Sequence, residues 1–256
     1  MKTRWLRVHA PRADAQHRLF CFPHAGGGGS AYRLWPAGLP KHVEVVTIEL
    51  PGRESRFGEP PTTRLATIVD EVVEAASPLM DRPYALFGHS MGALLAFEVA
   101  VRLQALSAPS PSHLFVSGRR APTVRADEPP LRHLPDDAFV AELNRRYDGI
   151  PKEILEHRDL LDLLLPVVRA DIAALETHEV TRDVRLECPI SAFGGLGDRH
   201  ASRTDLDAWR DVASAPVPVR QFPGGHFYLG EQRAALLHAV AGALTGPVVD
   251  PRSAAA

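Results

Sequence analysis

"YALFGHSMGALLAFEVA", residues 84–100, is the stretch of sequence that decides the fold. It holds Ser90 between Gly88 and Gly92, with an apolar run before the motif and a helix-like run after it. The G-x-S-x-G pattern alone is weak, since ordinary glycine usage gives a chance match in about one chain in ten of this length. Its place between a strand and a helix is the specific signal. Side chains at both glycines would clash in such a turn, and Ser90 would be exposed at a helix N-terminus that favours negative charge.

Short apolar runs alternate with longer helical runs on both sides of this motif. "VEVVTIEL" is rich in β-branched residues and predicts a strand, whereas "TRLATIVDEVVEAASPLM" places its apolar residues on one face of a helix. The predicted strands are 18–22, 43–50, 84–88, 113–118, 189–195 and 217–225. Strands that alternate with helices predict an α/β fold with a mostly parallel sheet covered on both faces.

The alternation stops between Arg125 and His178, where the sequence has no strand candidate. "DDAFVAELNRRY" predicts an amphipathic helix with Asp136 as its N-cap. "KEILEHRDLLDLLLPVVRADIAALETH" predicts either one long helix or two segments that meet at Pro166. We interpret this part of the chain as a helical insertion over the end of the sheet.

The predicted organisation is a core formed by residues 1–124 and 179–248, a helical lid over residues 125–178, and a disordered tail over residues 249–256. Within the lid, "LLDLLL" is apolar nearly all round. Two layers could bury this run, or one of its sides could line an acyl-binding cavity. Both interpretations stay open at the level of sequence.

Composition limits the possible functions. The chain of 256 residues is 45% hydrophobic and 23% charged, which is ordinary for a globular protein. Its net charge of −2 does not indicate binding to nucleic acid or to an anionic membrane. No apolar run reaches the length of a membrane span, and the basic N-terminus lacks the apolar core of a secretion signal. Cys21 and Cys188 each lie in an apolar stretch, which favours two separate buried thiols over a disulfide. We therefore expect a cytoplasmic protein.

A serine hydroxyl is a weak nucleophile near neutral pH, so Ser90 needs a base, and the base needs an orienting acid. With this motif the order along the chain is serine, acid, histidine. Asp198 directly follows the strand in "PISAFGGLGD", and His226 follows the last strand in "VRQFPGGHF". The glycine pair before His226 suits a loop that enters a crowded site. The sequence therefore predicts Ser90, Asp198 and His226 as nucleophile, acid and base.

Other titratable residues compete for these roles. His200 is close to Asp198 and is the weaker alternative base. His89 directly precedes the nucleophile, so its side chain should point away from the Ser90 face and serve mainly the structure. The aspartates at 205, 207 and 211 lie in a helix-like stretch and are expected to be solvated.

An oxyanion hole requires two backbone N–H groups aimed at the tetrahedral oxygen. One should come from Met91, directly after the nucleophile, and the other from the loop "PHAGGGGSAY", with Ala25 as the donor. A phosphate-binding loop is the alternative, but the sequence lacks G-x-x-x-x-G-K-[ST] and "GGGGS" does not fit G-x-G-x-x-G. Loop flexibility alone would also account for the glycines.

Four segments occur in a fixed order along the chain: "FCFPHAGGGGSAYRLW", "IELPGRESRFGEPP", "LFGHSMGALLAFEVA" and "FPGGHFYL". Together they resemble the stand-alone, or type II, thioesterases of polyketide and nonribosomal peptide synthesis, over about residues 18–245. The resemblance implies an α/β-hydrolase fold with a helical lid. It also implies hydrolysis of acyl thioesters on the phosphopantetheine arms of carrier proteins, usually to remove stalled or wrong acyl groups. "GGLGD" is more glycine-rich than the family's usual approach to its acid, which leaves the loop conformation open.

Carried over by position, the resemblance matches Ser90 to the nucleophile, Asp198 to the acid and His226 to the base, with Ala25 and Met91 as the oxyanion donors. It implies no metal and no bound cofactor, because the substrate itself carries the pantetheine arm. The expected partners are acyl or peptidyl carrier proteins, and the expected state is a monomer.

Several alternatives remain open. Arg119 and Arg120 in "SGRRAP" could dock the acidic helices of a carrier protein, or they could be ordinary solvated arginines. The same side-chain chemistry would serve a carboxylesterase or lipase acting on free esters, or a chain-terminating thioesterase domain that cyclises its product. A non-catalytic binding protein could also have kept the fold.

Overall fold

The computed structural model describes residues 4–125, 128–147, 150, 152–179, 181 and 183–244. Its strands are β1 (Leu6–Val8), β2 (His17–Phe22), β3 (Val43–Ile48), β4 (Tyr84–His89), β5 (His113–Ser117), β6 (Ile190–Gly195) and β7 (Val219–Phe222). Its α-helices are α1 (Trp35–Gly38), α2 (Leu65–Ala76), α3 (Met91–Ala105), α4 (Asp136–Tyr147), α5 (Lys152–Leu155), α6 (Arg158–Thr177), α7 (Arg203–Asp207) and α8 (Arg233–Leu244). Short 3-10 helices span Gly29–Tyr32, Glu54–Arg56, Ser77–Leu79 and Ala208–Val212. The predicted disordered tail lies outside the described residues.

The seven strands form one sheet in the order β1-β3-β2-β4-β5-β6-β7. Only β1 runs antiparallel to its neighbour, so the prediction of a mostly parallel sheet is confirmed for the described residues. Every residue of β2, β3, β4 and β6 is buried, as expected when helices cover both faces. The sequence did not predict β1, because this edge strand has three residues and only partial burial.

Alternate residues of each strand face two separate apolar layers. On β2, Phe20 and Phe22 pack with α2 and α3, whereas Leu19 and Cys21 pack with α1 and α8. Cys188 belongs to the first layer and Cys21 to the second. Both thiols are free and buried, as the sequence predicted.

The segment from 125 to 178, which we call the lid, contains α4, α5 and α6 and no strand among its described residues. These helices share a small apolar cluster that includes Phe139, Leu143 and Ile172. Its role as a lid, and the domain boundaries predicted above, stay predictions. None of the described helices has both the length and the apolar content needed to cross a membrane.

Two local predictions in the lid were wrong. The chain breaks after α5, around residues 156 and 157, and Pro166 lies inside α6. Pro166 is tolerated because it faces solvent, where water can bind the carbonyl group that loses its helical partner. Asp136 is the first residue of α4 rather than its N-cap, and its Oδ1 accepts a hydrogen bond from Nε of Arg169 at 2.8 Å.

Candidate active site

Ser90 occupies a strained turn at the carboxyl end of the central strand β4. Its φ of 54° and ψ of −114° lie in a region that non-glycine residues rarely adopt. The Ser90 N–H donates to the Ser117 carbonyl at 2.8 Å, and the Ser90 carbonyl accepts from the Ala93 N–H at 3.1 Å. Because α3 begins at Met91, the serine side chain is presented at the N-terminus of a buried helix.

The two glycines of the motif are required by backbone packing. A Cβ atom added to Gly88 would lie 2.0 Å from the carbonyl oxygen of Gly92. A Cβ atom added to Gly92 would lie 2.0 Å from the carbonyl oxygen of Phe22, at the end of β2. These obstacles are main-chain atoms that cannot rotate away, which confirms the predicted clash.

The predicted acid and base are in contact. His226 Nδ1 lies 2.8 Å from Asp198 Oδ2, and Asp198 Oδ1 accepts the backbone N–H of His200 at 2.9 Å. Burial would raise the pKa of Asp198, but the hydrogen bond and charge of the His226 ring, together with the His200 N–H, hold that pKa below its ordinary value. The Asp198 carboxylate therefore engages Nδ1 of His226 and leaves Nε2 for chemistry.

The rival residues are occupied elsewhere. The ring of His200 has its Nδ1 3.2 Å from Glu128 Oε2, so only its backbone reaches Asp198. His89 is buried, and its Nδ1 lies 3.0 Å from Ser117 Oγ. It is nevertheless not remote from the site, because its ring centroid is 5.0 Å from that of His226. Asp205 is the third residue of α7 and forms a capping box with the N-cap Ser202, from whose backbone N–H and hydroxyl it accepts.

Close backbone contact explains the glycine-rich approach to Asp198. A Cβ atom on Gly195 would lie 2.1 Å from the carbonyl oxygen of Gly225, in the loop that carries His226. The Gly197 N–H donates to the Gly224 carbonyl at 2.8 Å, and Gly224 itself has a φ of 113°. The two loops pack main chain against main chain, so side chains at these positions would separate acid from base.

A cavity of about 420 Å³ lies at the carboxyl ends of the strands. Ser90, His226 and Ala25 line its core side, and helices α4 and α6 line the other. This is where open α/β sheets bind ligands, since strand order reverses beside β4. The structure thus brings Ser90 and the His226–Asp198 pair to one cavity.

Apolar side chains form most of the lid wall of this cavity. Leu164, Val168 and Ile172 of α6 all line it. Within "LLDLLL", Leu164 faces the cavity and Leu165 is buried, but Leu160 and Leu163 are 48% and 57% exposed. The run is therefore not buried by two layers, and only one of its sides contributes to the cavity.

The predicted oxyanion donors are Met91 and Ala25. Met91 is the first residue of α3, directly after Ser90, and Ala25 lines the cavity from the loop after β2. Two N–H groups of that glycine-rich loop bind carboxylates of the chain itself: Gly26 N–H donates to Asp171, and Ser30 N–H donates to Glu54. Because these two N–H groups already bind carboxylates, they are not free to bind a phosphate, which disfavours the phosphate-binding alternative.

Sequence reasoning missed two residues of the site. His24 lines the cavity, and burial, followed by the charges of His226 and Arg53, lowers its pKa to about 4. Its place next to Ala25 could have drawn attention to it. Tyr147 of the lid also lines the cavity, with its ring centroid 5.3 Å from that of His226, and no motif marks it.

Arg119 and Arg120 occupy different environments. Both line a second cavity of about 460 Å³ between the core and the lid, but Arg119 also lines the cavity that holds Ser90. Burial lowers the pKa of Arg119. The Arg120 Nη1 donates to the carbonyl of Arg125 at 3.3 Å. Across the described residues, no group of three or more His, Cys, Asp or Glu side chains is arranged to hold a metal ion.

The chain is similar to known proteins in both sequence and structure. Residues 17–244 match the family model described as "Thioesterase domain". The chain is 42% identical over 230 residues to the gramicidin S biosynthesis protein GrsT of Aneurinibacillus migulanus, with 90% of each protein covered. The type II thioesterase BorB from the borrelidin biosynthetic cluster superposes with a TM-score of 0.86 at 34% identity, covering 95% of this chain and 99% of BorB. The RedJ thioesterase from the prodiginine pathway of Streptomyces coelicolor superposes with a TM-score of 0.83 at 39% identity, covering 91% and 95%.

Proposed function

Because this chain belongs to the thioesterase family, has the α/β-hydrolase fold and is a thioester hydrolase, we propose that it releases acyl groups from the phosphopantetheine arms of carrier proteins. Its similarity to GrsT, BorB and RedJ supports an editing role in a polyketide or nonribosomal peptide pathway of the cytoplasm. The observation that carries the proposal is the cavity that Ser90 shares with His226, whose ring is held by Asp198.

The first half of the proposed reaction forms an acyl-serine. His226 Nε2 takes the proton of Ser90 Oγ while that oxygen attacks the thioester carbonyl carbon. The N–H groups of Met91 and Ala25 stabilise the oxyanion of the tetrahedral intermediate. The C–S bond then breaks, and the pantetheine sulfur leaves with the proton from His226.

The second half restores the enzyme. His226 takes a proton from water, and the resulting hydroxide attacks the acyl-serine carbonyl carbon. The bond to Ser90 Oγ breaks, the serine regains its proton from His226, and the free acid leaves. Throughout both halves Asp198 accepts the Nδ1–H of His226 and stabilises the imidazolium that forms twice per cycle. This chemistry uses no metal or bound cofactor.

The walls of the cavity support an orientation for the substrate. The lid side is apolar, with Leu164, Val168 and Ile172, and suits the acyl chain. The neighbouring cavity is lined by arginines that include Arg119 and Arg120, which suits the phosphate-bearing arm and an acidic carrier. We therefore propose that the carrier docks on the side of Arg120.

The decisive experiment compares matched thiol and oxygen esters of one acyl group. We expect acyl-pantetheine thioesters to be hydrolysed with a higher kcat/KM than the oxygen esters, and Ser90→Ala to abolish both activities while the protein stays folded. A panel of acyl carriers, followed by mass spectrometry, then gives the acyl range. Faster turnover of the oxygen esters would favour a carboxylesterase, and a cyclised product would favour a chain-terminating enzyme.

A serine-reactive fluorophosphonate separates an enzyme from a binding protein that kept the fold. We expect labelling of the wild type and none of Ser90→Ala. Full thioesterase activity in Ser90→Ala would overturn the assignment of the nucleophile.

A further inference from the structure

A buried ion pair joins helix α6 of the lid to the loop that follows β3. Arg53 contacts Asp171 twice, with Nη1–Oδ2 at 2.6 Å and Nη2–Oδ1 at 2.8 Å. Arg53 is 8% exposed and Asp171 is 1% exposed. Because both charges lose their hydration when they are buried, a buried pair is weak evidence for added stability. The contacts that the pair makes with the glycine-rich loop say more about its role than its strength does.

The same two side chains hold the glycine-rich loop. The Gly26 N–H donates to Asp171 Oδ2 at 2.7 Å, and Arg53 Nη1 donates to the Gly27 carbonyl at 3.1 Å. The Gly26 N–H is part of the peptide bond between Ala25 and Gly26, which directly follows the peptide bond that carries the Ala25 N–H. The ion pair therefore fixes the orientation of the peptide group next to the proposed oxyanion donor.

Helix α6 also packs directly on this point of the loop. Gly26 has a φ of +75°, and a Cβ atom added there would lie 2.8 Å from Cγ2 of Val168. Val168 and Asp171 are three residues apart on one face of α6. A single face of the lid helix thus supplies both the charge and the apolar contact that shape the loop.

We infer that the Arg53–Asp171 pair is a positioning device that aims the Ala25 N–H at the oxyanion, so that the oxyanion hole is complete only while α6 is seated on the core. The inference rests on the proposed function, because it needs Ala25 as an oxyanion donor. If α6 lifts from the core, Asp171 leaves with it and the Gly26 N–H loses its acceptor. The chemical step is in this way coupled to closure of the lid.

The expected effect is on kcat rather than on KM. Loss of one oxyanion donor lowers kcat by about 100- to 1000-fold. A donor that is present but poorly aimed should lower kcat by about 10- to 100-fold. The main variant is Arg53→Met/Asp171→Leu, because apolar side chains of similar volume often replace a buried ion pair without loss of stability. We expect its kcat to fall by that factor while KM changes by less than about threefold.

A second readout separates aiming from folding. A trifluoromethyl ketone analogue of the acyl substrate forms a reversible tetrahedral adduct whose oxyanion occupies the hole. Its affinity should fall in the double variant by about the same factor as kcat, whereas the affinity for the free-acid product should not change. A merely structural role would lower Tm and leave both the inhibitor affinity and the kcat of the folded fraction unchanged.

Two further variants complete the test. Asp171→Ala removes the acceptor of the Gly26 N–H, so it decides the question with the same readouts if the double variant does not fold. The matched control is Glu98→Gln. Glu98 is a buried carboxylate that accepts from the Thr181 N–H at 3.1 Å and the Thr181 hydroxyl at 3.0 Å, where the chain leaves the lid. We expect its kcat to stay within about twofold of wild type.

Wild-type kcat and inhibitor affinity in the double variant, or in Asp171→Ala if only that variant folds, would overturn the inference and leave the proposed function intact. Failure of the wild type to hydrolyse thioesters, or to react with the fluorophosphonate, would instead overturn the proposed function. The two failures are therefore distinguishable in one set of assays.

Discussion

The two walls of the Ser90 cavity are held by different kinds of contact. On the core wall, main chain packs against main chain, with room for no side chain at Gly88 or Gly92. On the lid wall, side chains from α4 and α6 form the contacts, and the buried Arg53–Asp171 pair ties this wall to the core. The core wall therefore has one possible shape, whereas substitutions can change the lid wall. We therefore expect the chemistry to depend on the core wall and the substrate range to depend on the lid wall.

The largest expected effect tests whether the chemistry belongs to the core wall. Asp198→Asn should lower kcat by about 10⁴-fold, because an amide no longer holds His226 in the tautomer that leaves Nε2 free as a base. Steady-state kinetics on an acyl-pantetheine thioester measures the loss, and circular dichroism checks that the variant is folded.

His200→Gln is the control for this assignment. His200 is two residues from the acid, but its ring faces Glu128 and only its backbone N–H reaches Asp198. We expect kcat within about threefold of wild type. A large loss of kcat in His200→Gln, with a near-wild-type kcat in His226→Gln, would show that His200 is the base and that the contact between His226 and Asp198 is not the catalytic one.

The second effect tests whether the core wall has a single shape. Gly92→Ala places a methyl group 2.0 Å from the Phe22 carbonyl oxygen, so β2 and α3 must separate. Overpacking of this kind costs about 1–3 kcal/mol or more in unfolding free energy, and it should also displace Met91. Urea unfolding and kcat together report both consequences.

Gly58→Ala is the matched control, since a Cβ atom at Gly58 meets nothing within 4 Å. We expect its unfolding free energy to stay within about 0.5 kcal/mol of wild type. Equal stability of the two variants would mean that the core wall adapts to an added methyl group.

This difference between the walls also explains what the sequence could predict. The turn around Ser90, the strand ends that carry Asp198 and His226, and the glycines between the loops follow from local rules of backbone geometry. A motif of five residues therefore suffices to fix the position of Ser90, the proposed nucleophile. The same rules predicted six of the strands of the described residues and missed β1, an edge strand of three residues that is only partly buried.

The sequence predicted that the lid is helical, but it did not predict where its helices begin and end. Periodicity gave helices between 125 and 178, but the chain breaks after α5 rather than at Pro166, because solvent exposure relieves the proline. The contact between Arg53 and Asp171 spans 118 residues, and no local pattern marks either partner. Tyr147 against His226 is a similar case, since both contacts depend on how α4 and α6 are seated on the core.

The third effect tests whether the lid wall covers the core wall in solution. Burial is the main reason that the pKa values of His24 and His113 are both lowered to about 4. His24 lines the cavity, whereas His113 is at the amino end of β5, away from the strand ends that border the cavity. Both rings are neutral in the folded state at pH 5, whereas unfolded chains protonate them below their ordinary pKa of 6.5. The unfolded state binds more protons there, so stability should fall as pH drops from about 6.5 towards 4, by about 1–2 kcal/mol per ring at pH 5.

Urea unfolding at pH 7 and pH 5, with NMR titration of both rings, checks this expectation. His113 serves as the internal control because it is the first residue of β5 and does not line the cavity. A pKa of His24 near 6.5, with His113 still near 4, would show that the lid stands open and leaves the cavity hydrated.

The fourth effect tests whether the lid wall sets the substrate range. Leu164→Ala enlarges the cavity, so the ratio of kcat/KM for a bulky acyl group over a short one should rise by about tenfold. Leu163→Ala is the control on the same helix, because Leu163 is 57% exposed and does not line the cavity. Its ratio should change by less than about twofold. Equal shifts in the two variants would mean that substrate range depends on the stability of the helix rather than on the cavity.

The smallest effect concerns the outer rim, where the lid meets the core beside Arg120. Reversing the charge of both Arg119 and Arg120 would not separate carrier docking from substrate binding in the cavity. Arg119 also lines the Ser90 cavity, so its substitution should affect every substrate. Arg120→Glu alone isolates docking. Exposed charge pairs contribute up to about 1 kcal/mol, so KM for an acyl-carrier substrate should rise by about two- to fivefold, less at high salt, while KM for a small pantetheine thioester stays unchanged. Equal changes for both substrates would remove Arg120 from docking and place it, with Arg119, at the wall of the cavity.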